Sequence, residues 1–311
     1  MSKNRPILIL GGTGFIGHAV VSQLLRERNP EDLIVLSHRK ASSFAGVKTI
    51  KGSLEKVDWS QLDHNPPETI IHLARINATR FGKLGRYLAA RKGRNANKRL
   101  VEHSQRANWR CSFTYVSGSL MYGEHGTETI LEGEGLKPIA FARQYSIAED
   151  VFDPVAQNVR VIRVPWVIGQ GSWFKGFFTD KLQSEKRVPQ YGSGENWMSF
   201  IEVSDAAKGI VYASLNFNRG VYHLAMPQAL PQRNFCELIS KLSGFPIKAF
   251  SNTEMEMKFE EAIVESFRSN IILGTRFQEN FPANFFQFTE VESALKHHLS
   301  LFLKDKERIL S

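Results

Sequence analysis

The sequence predicts a doubly wound α/β fold: a parallel sheet with helices on both faces and a smaller, mainly helical lobe. Three observations carry this. Residues 7–17 read Ile-Leu-Ile-Leu-Gly-Gly-Thr-Gly-Phe-Ile-Gly, an apolar run ending in spaced glycines. The first half alternates short apolar runs with helical periodicity, the pattern of successive βα units. From Pro165 the chain becomes rich in Gly, Trp and Phe, and from Met226 mostly helical in pattern.

Residues 7–10 are the expected first strand, apolar at every position because both of its faces are covered. Gly11 allows a sharp turn, Gly14 lets backbone approach a phosphate, and Gly17 lets the next helix pack close to the strand. That helix, residues 18–28, turns free N–H groups and the positive end of its dipole toward an anion. The arrangement implies a dinucleotide pyrophosphate site on a Rossmann-type sheet. Strands follow at 33–36, 47–50 and 69–73, the last after Asn65-Pro66-Pro67. Two helices are expected at 81–91 and 96–107, a strand at 112–116, a helix around 148–155 and a strand at 159–164. A helix at 204–215 and a strand at 220–224 return to the main sheet. The expected nucleotide-binding domain is therefore 1–170 with about 204–225, and the substrate lobe is 171–203 with 226–311.

At 311 residues the chain can bury a large core. No apolar run approaches the roughly 18 residues of a membrane span, and the N-terminus enters a strand at once, so no signal or transit peptide is expected. Cys111 and Cys236 have neither metal spacing nor the look of a disulfide framework, which fits a reduced, cytoplasmic protein. His297-His298 has no companion ligands, so a surface position and no metal are expected. The net charge of +9 is concentrated. From Arg75 to Arg110 there are eleven Lys or Arg against one acid, Glu102, leaving the remainder near neutral. This is either a solvated basic helix pair or a surface for an anionic partner, such as a phosphorylated substrate, an acyl carrier or an acidic protein. Nucleic acid ranks last, because no nucleic-acid motif or aromatic interleaving accompanies the charge.

Further segments recur in a fixed order: Ile71-His72-Leu73-Ala74, then Tyr115-Val116-Ser117-Gly118-Ser119-Leu120-Met121-Tyr122-Gly123, then Val161-Ile162-Arg163-Val164-Pro165 with Gly169. Val188-Pro189-Gln190-Tyr191-Gly192-Ser193-Gly194 and Ser199-Phe200-Ile201-Glu202-Val203-Ser204-Asp205 close the series. Together with Thr13, Phe15 and Ile16 in the glycine loop, they resemble the extended short-chain dehydrogenase/reductases of the NAD-dependent epimerase/dehydratase family, over nearly the whole chain. The resemblance implies a cofactor across the carboxyl edge of the sheet. Its neighbours would be Gly11, Thr13, Gly14, Phe15, Ile16 and Gly17, then Leu73 and Ala74 beside adenine and ribose, Val116 on strand five, and Pro165 beside the nicotinamide.

Members preferring NAD usually place an acid at the end of strand two, about 20 residues past the glycines. Here that region reads Leu36-Ser37-His38-Arg39-Lys40, without an acid. A 2′-phosphate needs charge-assisted donors, which a guanidinium supplies as a planar pair. NADP(H) is therefore expected over NAD(H), with Ser37 and Arg39 as leading contacts and His38 or Lys40 helping; the alternative is that these are exposed loop charges. After strand three, Ser53 and Leu54 stand where an acid near the adenine is usual, and Ser53 can still accept a hydrogen bond. Arg75 meets the pyrophosphate or an anionic substrate, or is simply solvated.

The resemblance also implies a catalytic tyrosine, a lysine four residues later, and a hydroxyl from strand five. The register set by Pro138 and by Ala148-Glu149 puts Phe141 at the tyrosine, Tyr145 at the lysine and Gly118 at the hydroxyl, flanked by Ser117 and Ser119. Phenylalanine cannot exchange a proton, and a tyrosine with a pKa of about 10 is a poor base at neutral pH. A shift of one turn makes Tyr145 the tyrosine but puts Glu149 in the lysine's place, where a carboxylate raises the tyrosine pKa. The remaining catalytic candidates are Tyr145, Ser117, Ser119 and Tyr122, with His72 and Arg75 behind them. Three readings stay open: an atypical NADP(H)-dependent oxidoreductase or isomerase acting on a small anionic or aromatic metabolite, a non-catalytic NADP(H)-binding sensor or partner protein, and a redox-neutral cyclase or isomerase. Trp166, Trp173, Phe174, Phe177 and Phe178 suggest an apolar or aromatic substrate wall. Members often dimerise through the helices after strand four, which here carry the basic stretch. Like charges would face each other, so a monomer or a dimer through another surface is expected.

Overall fold

A computed structural model describes residues 5–38, 43–77 and 82–310, without the side chains of Gln144 and 301–310. The elements begin with β1 (Ile7–Leu10), α1 (Phe15–Leu24), β2 (Leu33–Ser37), β3 (Lys48–Lys51) and β4 (Thr69–His72). Then come α2 (Gly82–Arg106), β5 (Ser112–Gly118), β6 (Thr129–Ile130), α3 (Ala140–Glu149), β7 (Val159–Val164) and β8 (Trp166–Ile168). The second half holds α4 (Asp180–Glu185), β9 (Val188–Tyr191), β10 (Trp197–Glu202), α5 (Val203–Asn216), β11 (Gly220–His223) and β12 (Ala229–Pro231). Last are α6 (Gln232–Ser243), β13 (Ile247–Phe250), α7 (Asn252–Lys258), α8 (Glu261–Arg268), β14 (Ile272–Leu273) and α9 (Val291–Leu310).

The chain forms two compact units. One comprises Met1–Gly118, Ala142–Arg163 and Ala207–Tyr222, and the other Ser119–Phe141, Val164–Ala206 and His223–Ser311. Residues 119–141, placed with the nucleotide-binding domain from sequence, group here with the second unit.

The first unit is built on a seven-stranded sheet in the order β11-β7-β5-β4-β1-β2-β3. The pairs β1–β2, β1–β4, β2–β3 and β4–β5 are parallel. Chain order runs outward in both directions from β1 and β4, so the switch point lies between them, where open α/β sheets bind ligands at their carboxyl ends. All four residues of β1 are buried, as are those of β4, which accounts for the unbroken apolar run of β1 and for Ile70 and Ile71 of β4. Helix α1 buries Gly17, Val20, Val21 and Leu24, the i, i+3, i+4, i+7 stripe that faces a sheet.

Where two helices were expected after β4, α2 is one helix of 25 residues; Phe81, the expected start of the first, lies outside the described residues. Gly93, between the two expected helices, is helical and buried. A Cβ there would lie 3.3 Å from the Ala148 Cβ of α3, so a small residue permits the close approach. A polar clamp joins the layers. His72 Nε2 is 2.9 Å from Asn97 Oδ1, and Asn97 Nδ2 donates to the Ala148 carbonyl at 2.9 Å. The amide orientation makes Asn97 Oδ1 the acceptor, so His72 donates. Burial pushes the His72 pKa down to about 4, against the opposing effect of this bond.

The second unit packs around aromatics. Phe174, Phe178, Tyr191, Phe200, Phe235 and Phe267 are buried in one cluster, with Trp166, Trp173 and Phe177 packed against it. Trp173 contacts Phe174, Phe178, Phe200 and Phe235. The five aromatics expected to wall a substrate site thus belong to, or pack on, the core of this unit. His298, expected at the surface, is buried and pairs with Glu202 at 2.9 Å, tying α9 to β10, because a buried carboxylate needs a partner. Among the described residues no helix is long and apolar enough to cross a membrane, and no group of three or more His, Cys, Asp or Glu could hold a metal ion.

Two predictions follow from these contacts. A Cβ at Gly17 would fall 2.0 Å from the Gly11 carbonyl oxygen, whereas one at Gly135 meets nothing within 4 Å. Gly17→Ala is expected to cost at least the ~1–3 kcal/mol typical of overpacking and Gly135→Ala far less, read from urea midpoints. His72 stays neutral in the folded protein down to about pH 4, but in the unfolded chain only down to about 6.5. The unfolded state takes up the proton first, so this contribution is present above about pH 6.5 and is lost as pH falls toward about 4. The stability difference between the parent and His72→Asn should therefore shrink by about 3 kcal/mol across that window. A difference independent of pH would contradict the assignment.

Candidate functional site

The carboxyl edge of the first unit's sheet opens into a cleft of about 570 Å³. The β1–α1 turn supplies Gly11, Thr13 and Gly14, the end of β2 supplies Leu36 and His38, and the segment after β3 supplies Gly52, Ser53, Leu54 and Glu55. Ala74, Arg75, Ile76 and Asn77 come from beyond β4, and Lys92 from α2.

Gly11 has φ +89°, and a Cβ on it would lie 2.7 Å from the Ala74 nitrogen. The two loops at the switch point therefore touch backbone to backbone, beside the Leu73 N–H that donates to the Leu10 carbonyl at 2.8 Å. Gly14 is the N-cap of α1 in extended conformation, with no side chain capping the helix. The orphan amides of the first turn, from Phe15 through Gly17, are thus left for a ligand. A glycine cradle at an uncapped helix N-terminus fits a pyrophosphate.

The end of β2 carries no acid. Ser37 is buried, and its carbonyl accepts from the Gly52 N–H at 2.9 Å, while His38 is exposed in the cleft. Arg39 and Lys40 lie outside the described residues. On the opposite wall Lys92 Nζ is 3.7 Å from Glu55 Oε1, an exposed pair worth little.

At the inner end, Tyr145 is buried on α3 with the Arg75 guanidinium over its ring, 4.1 Å from Cζ to the ring centroid. Burial pushes the Tyr145 hydroxyl up to about 12; Arg75 opposes this and Glu149 adds to it. The tyrosine therefore stays protonated at neutral pH. Glu149 is engaged elsewhere. Arg163 Nη2 donates to its Oε1 at 2.5 Å and Nη1 to its Oε2 at 3.1 Å, in a buried fork. The Ser117 hydroxyl donates to the same carboxylate and accepts from Arg163 Nη1 at 3.1 Å. Ser117, Glu149 and Arg163 thus form one closed network, and neither the serine proton nor the carboxylate is directed at a reacting group. Val116 is buried in β5 beside them.

The other candidates belong to the second unit. Ser119 and Tyr122 are buried there, as is Pro165 between β7 and β8. His223 Nδ1 is 2.7 Å from the Gly274 carbonyl, which can only accept, so Nδ1 donates and Nε2 accepts from the Tyr122 hydroxyl at 2.6 Å. Glu132 secures the same corner, accepting from the His223 N–H, the Thr275 hydroxyl and the Arg276 N–H. The sequence reading assigned no role to Arg163, Asn97, Lys92 or Glu132. Arg163 had a signal: a charge inside the apolar run of β7 needs a buried partner.

The description "NAD dependent epimerase/dehydratase family" belongs to a family model that matches residues 7–225. A dTDP-glucose 4,6-dehydratase of Streptomyces griseus is 25% identical over 264 residues, 76% of this chain and 78% of that protein. Among solved structures, DesIV (dTDP-glucose 4,6-dehydratase) from Streptomyces venezuelae, with NAD and TYD bound, superposes with a TM-score of 0.77 at 17% identity, covering 97% of this chain and 98% of that one. The human epimerase family protein SDR39U1 with NADPH gives 0.76 at 20% identity, covering 94% and 98%. With its switch-point cleft, its glycine cradle and a family match over most of its length, this chain belongs to the NAD-dependent epimerase/dehydratase family.

Proposed function

We propose that the chain binds NADP(H) in the cleft of its first unit and is an atypical oxidoreductase or isomerase of the epimerase/dehydratase type, acting on a small anionic metabolite. The observation that carries this reading is a glycine cradle at an uncapped helix N-terminus, in a cleft whose β2 end has no acid. Gly11, Thr13, Gly14, Phe15, Ile16 and Gly17 hold the pyrophosphate, Ser53, Leu54, Leu73 and Ala74 flank the adenosine half, and Ser37, His38 and Arg39 meet the 2′-phosphate. When bound, the cofactor supplies hydride chemistry. The anionic substrate class rests on the basic stretch that runs from the loop after β4 along α2; the aromatic option loses its support because Trp166, Trp173, Phe174, Phe177 and Phe178 are used in packing. Of the related structures, DesIV holds NAD and SDR39U1 holds NADPH, so the preference for NADP(H) rests on the residues of this chain.

A second reading, an NADP(H)-binding protein without redox chemistry, is favoured by the hydroxyls. Tyr145 is harder to ionise than free tyrosine, Ser117 is bound to Glu149, and Tyr122 to His223. Incubation with NADPH deuterated at C4, each face in turn, and a metabolite extract separates the two. Deuterium in one product establishes the oxidoreductase; none, with NADPH demonstrably bound, removes the simple reductase and leaves the binder or a redox-neutral catalyst, including an isomerase that takes its hydride back. His38→Asp should place a carboxylate by the 2′-phosphate and lower the NADPH-over-NADH preference at least about tenfold. An unchanged preference would contradict the assignment of the β2 end.

A further inference from the structure

The position that the resemblance assigns to a lysine holds Tyr145, and a different cation lies over it. Arg75, one residue past the Ala74 that abuts the glycine turn, places its guanidinium 4.1 Å from the centroid of the Tyr145 ring. The ring is 4% exposed, while Arg75 is an exposed residue. Arg75 lines both the cleft and a small pocket of about 20 Å³ that Tyr145 also lines, so it links the two. The nearby carboxylate does not cancel its charge, because Glu149 is forked to Arg163. The other described cation of the cleft, Lys92, lies 3.7 Å from Glu55 Oε1.

We propose that Arg75, seated on the Tyr145 ring, is the cation that holds the cofactor at the inner end of the cleft, and that Tyr145 serves there as its platform. The inference rests on the NADP(H) reading above. A guanidinium is suited to this arrangement. Its flat face stacks on an aromatic ring while its N–H edge remains available to phosphate or ribose oxygens. An ammonium at 145 would reach the cleft from α3, whereas Arg75 reaches the same ring from the loop after β4. The charge is kept although its origin has moved from one element to another. On this account Arg75 contacts the cofactor, and Tyr145 is a positioning residue that acts through it.

NADPH affinity, measured by calorimetry together with each variant's unfolding midpoint, tests this. Arg75→Gln should keep the parent midpoint, because the side chain is exposed, and should weaken NADPH binding by about tenfold or more. Arg75→Lys should retain part of the affinity. Arg75→Gln combined with Tyr145→Lys restores a cation from α3 and should recover most of it, a rescue that a merely structural role would not give. Unchanged binding by Arg75→Gln, or a folded double variant no tighter than Arg75→Gln, would overturn the proposal. A parent that binds neither NADPH nor NADH would instead overturn the cofactor reading, and this inference with it.

Discussion

The first unit depends on one close approach, that of the β1–α1 turn to the loop leaving β4. No side chain fits between Gly11 and Ala74, or between Gly17 and the Gly11 carbonyl. Because those gaps are closed by backbone, α1 seats against the sheet and its unsatisfied amides face the switch point. A methyl group at either glycine would lift the helix and carry the cradle away from the carboxyl edge.

A second constraint is the placing of buried charge. Glu149 and Arg163 are both buried, and each would be costly without the other. Their mutual fork, closed by Ser117, fixes the ends of α3, β7 and β5 relative to one another within the first unit. That network uses up the Ser117 hydroxyl and the Glu149 carboxylate. Both groups are thereby committed to structure, and Arg75 keeps its charge toward the cleft.

Much of this was legible in the sequence, for identifiable reasons. Strands β1 and β2 were readable because burial on both faces demands apolar runs, and the glycine turn because its spacing has a steric cause. Helix α2 was misread as two. Local propensity treats Gly93 as a break, while tertiary packing against Ala148 makes it a requirement. The aromatic segment after β7 was read as a possible substrate wall, because composition alone cannot separate a packed core from a pocket lining. His298 was placed at the surface because its partner, Glu202, is 96 residues away in the chain. In the candidate site, the residue types at 118, 141 and 145 were readable from the sequence. That Ser117, Glu149 and Arg163 close on each other, and that Arg75 lies on Tyr145, depends on side-chain geometry that spacing does not encode.

The central claim, that the glycine turn and the α1 N-terminus receive a dinucleotide, is tested most directly by hydrogen–deuterium exchange of the free and NADPH-saturated protein. The account predicts slowed exchange in the segment spanning Gly11–Gly17 and in the segments following β3 and β4, with exchange across α7 and α8 unchanged. Exchange that is identical with and without NADPH in the glycine turn would contradict it.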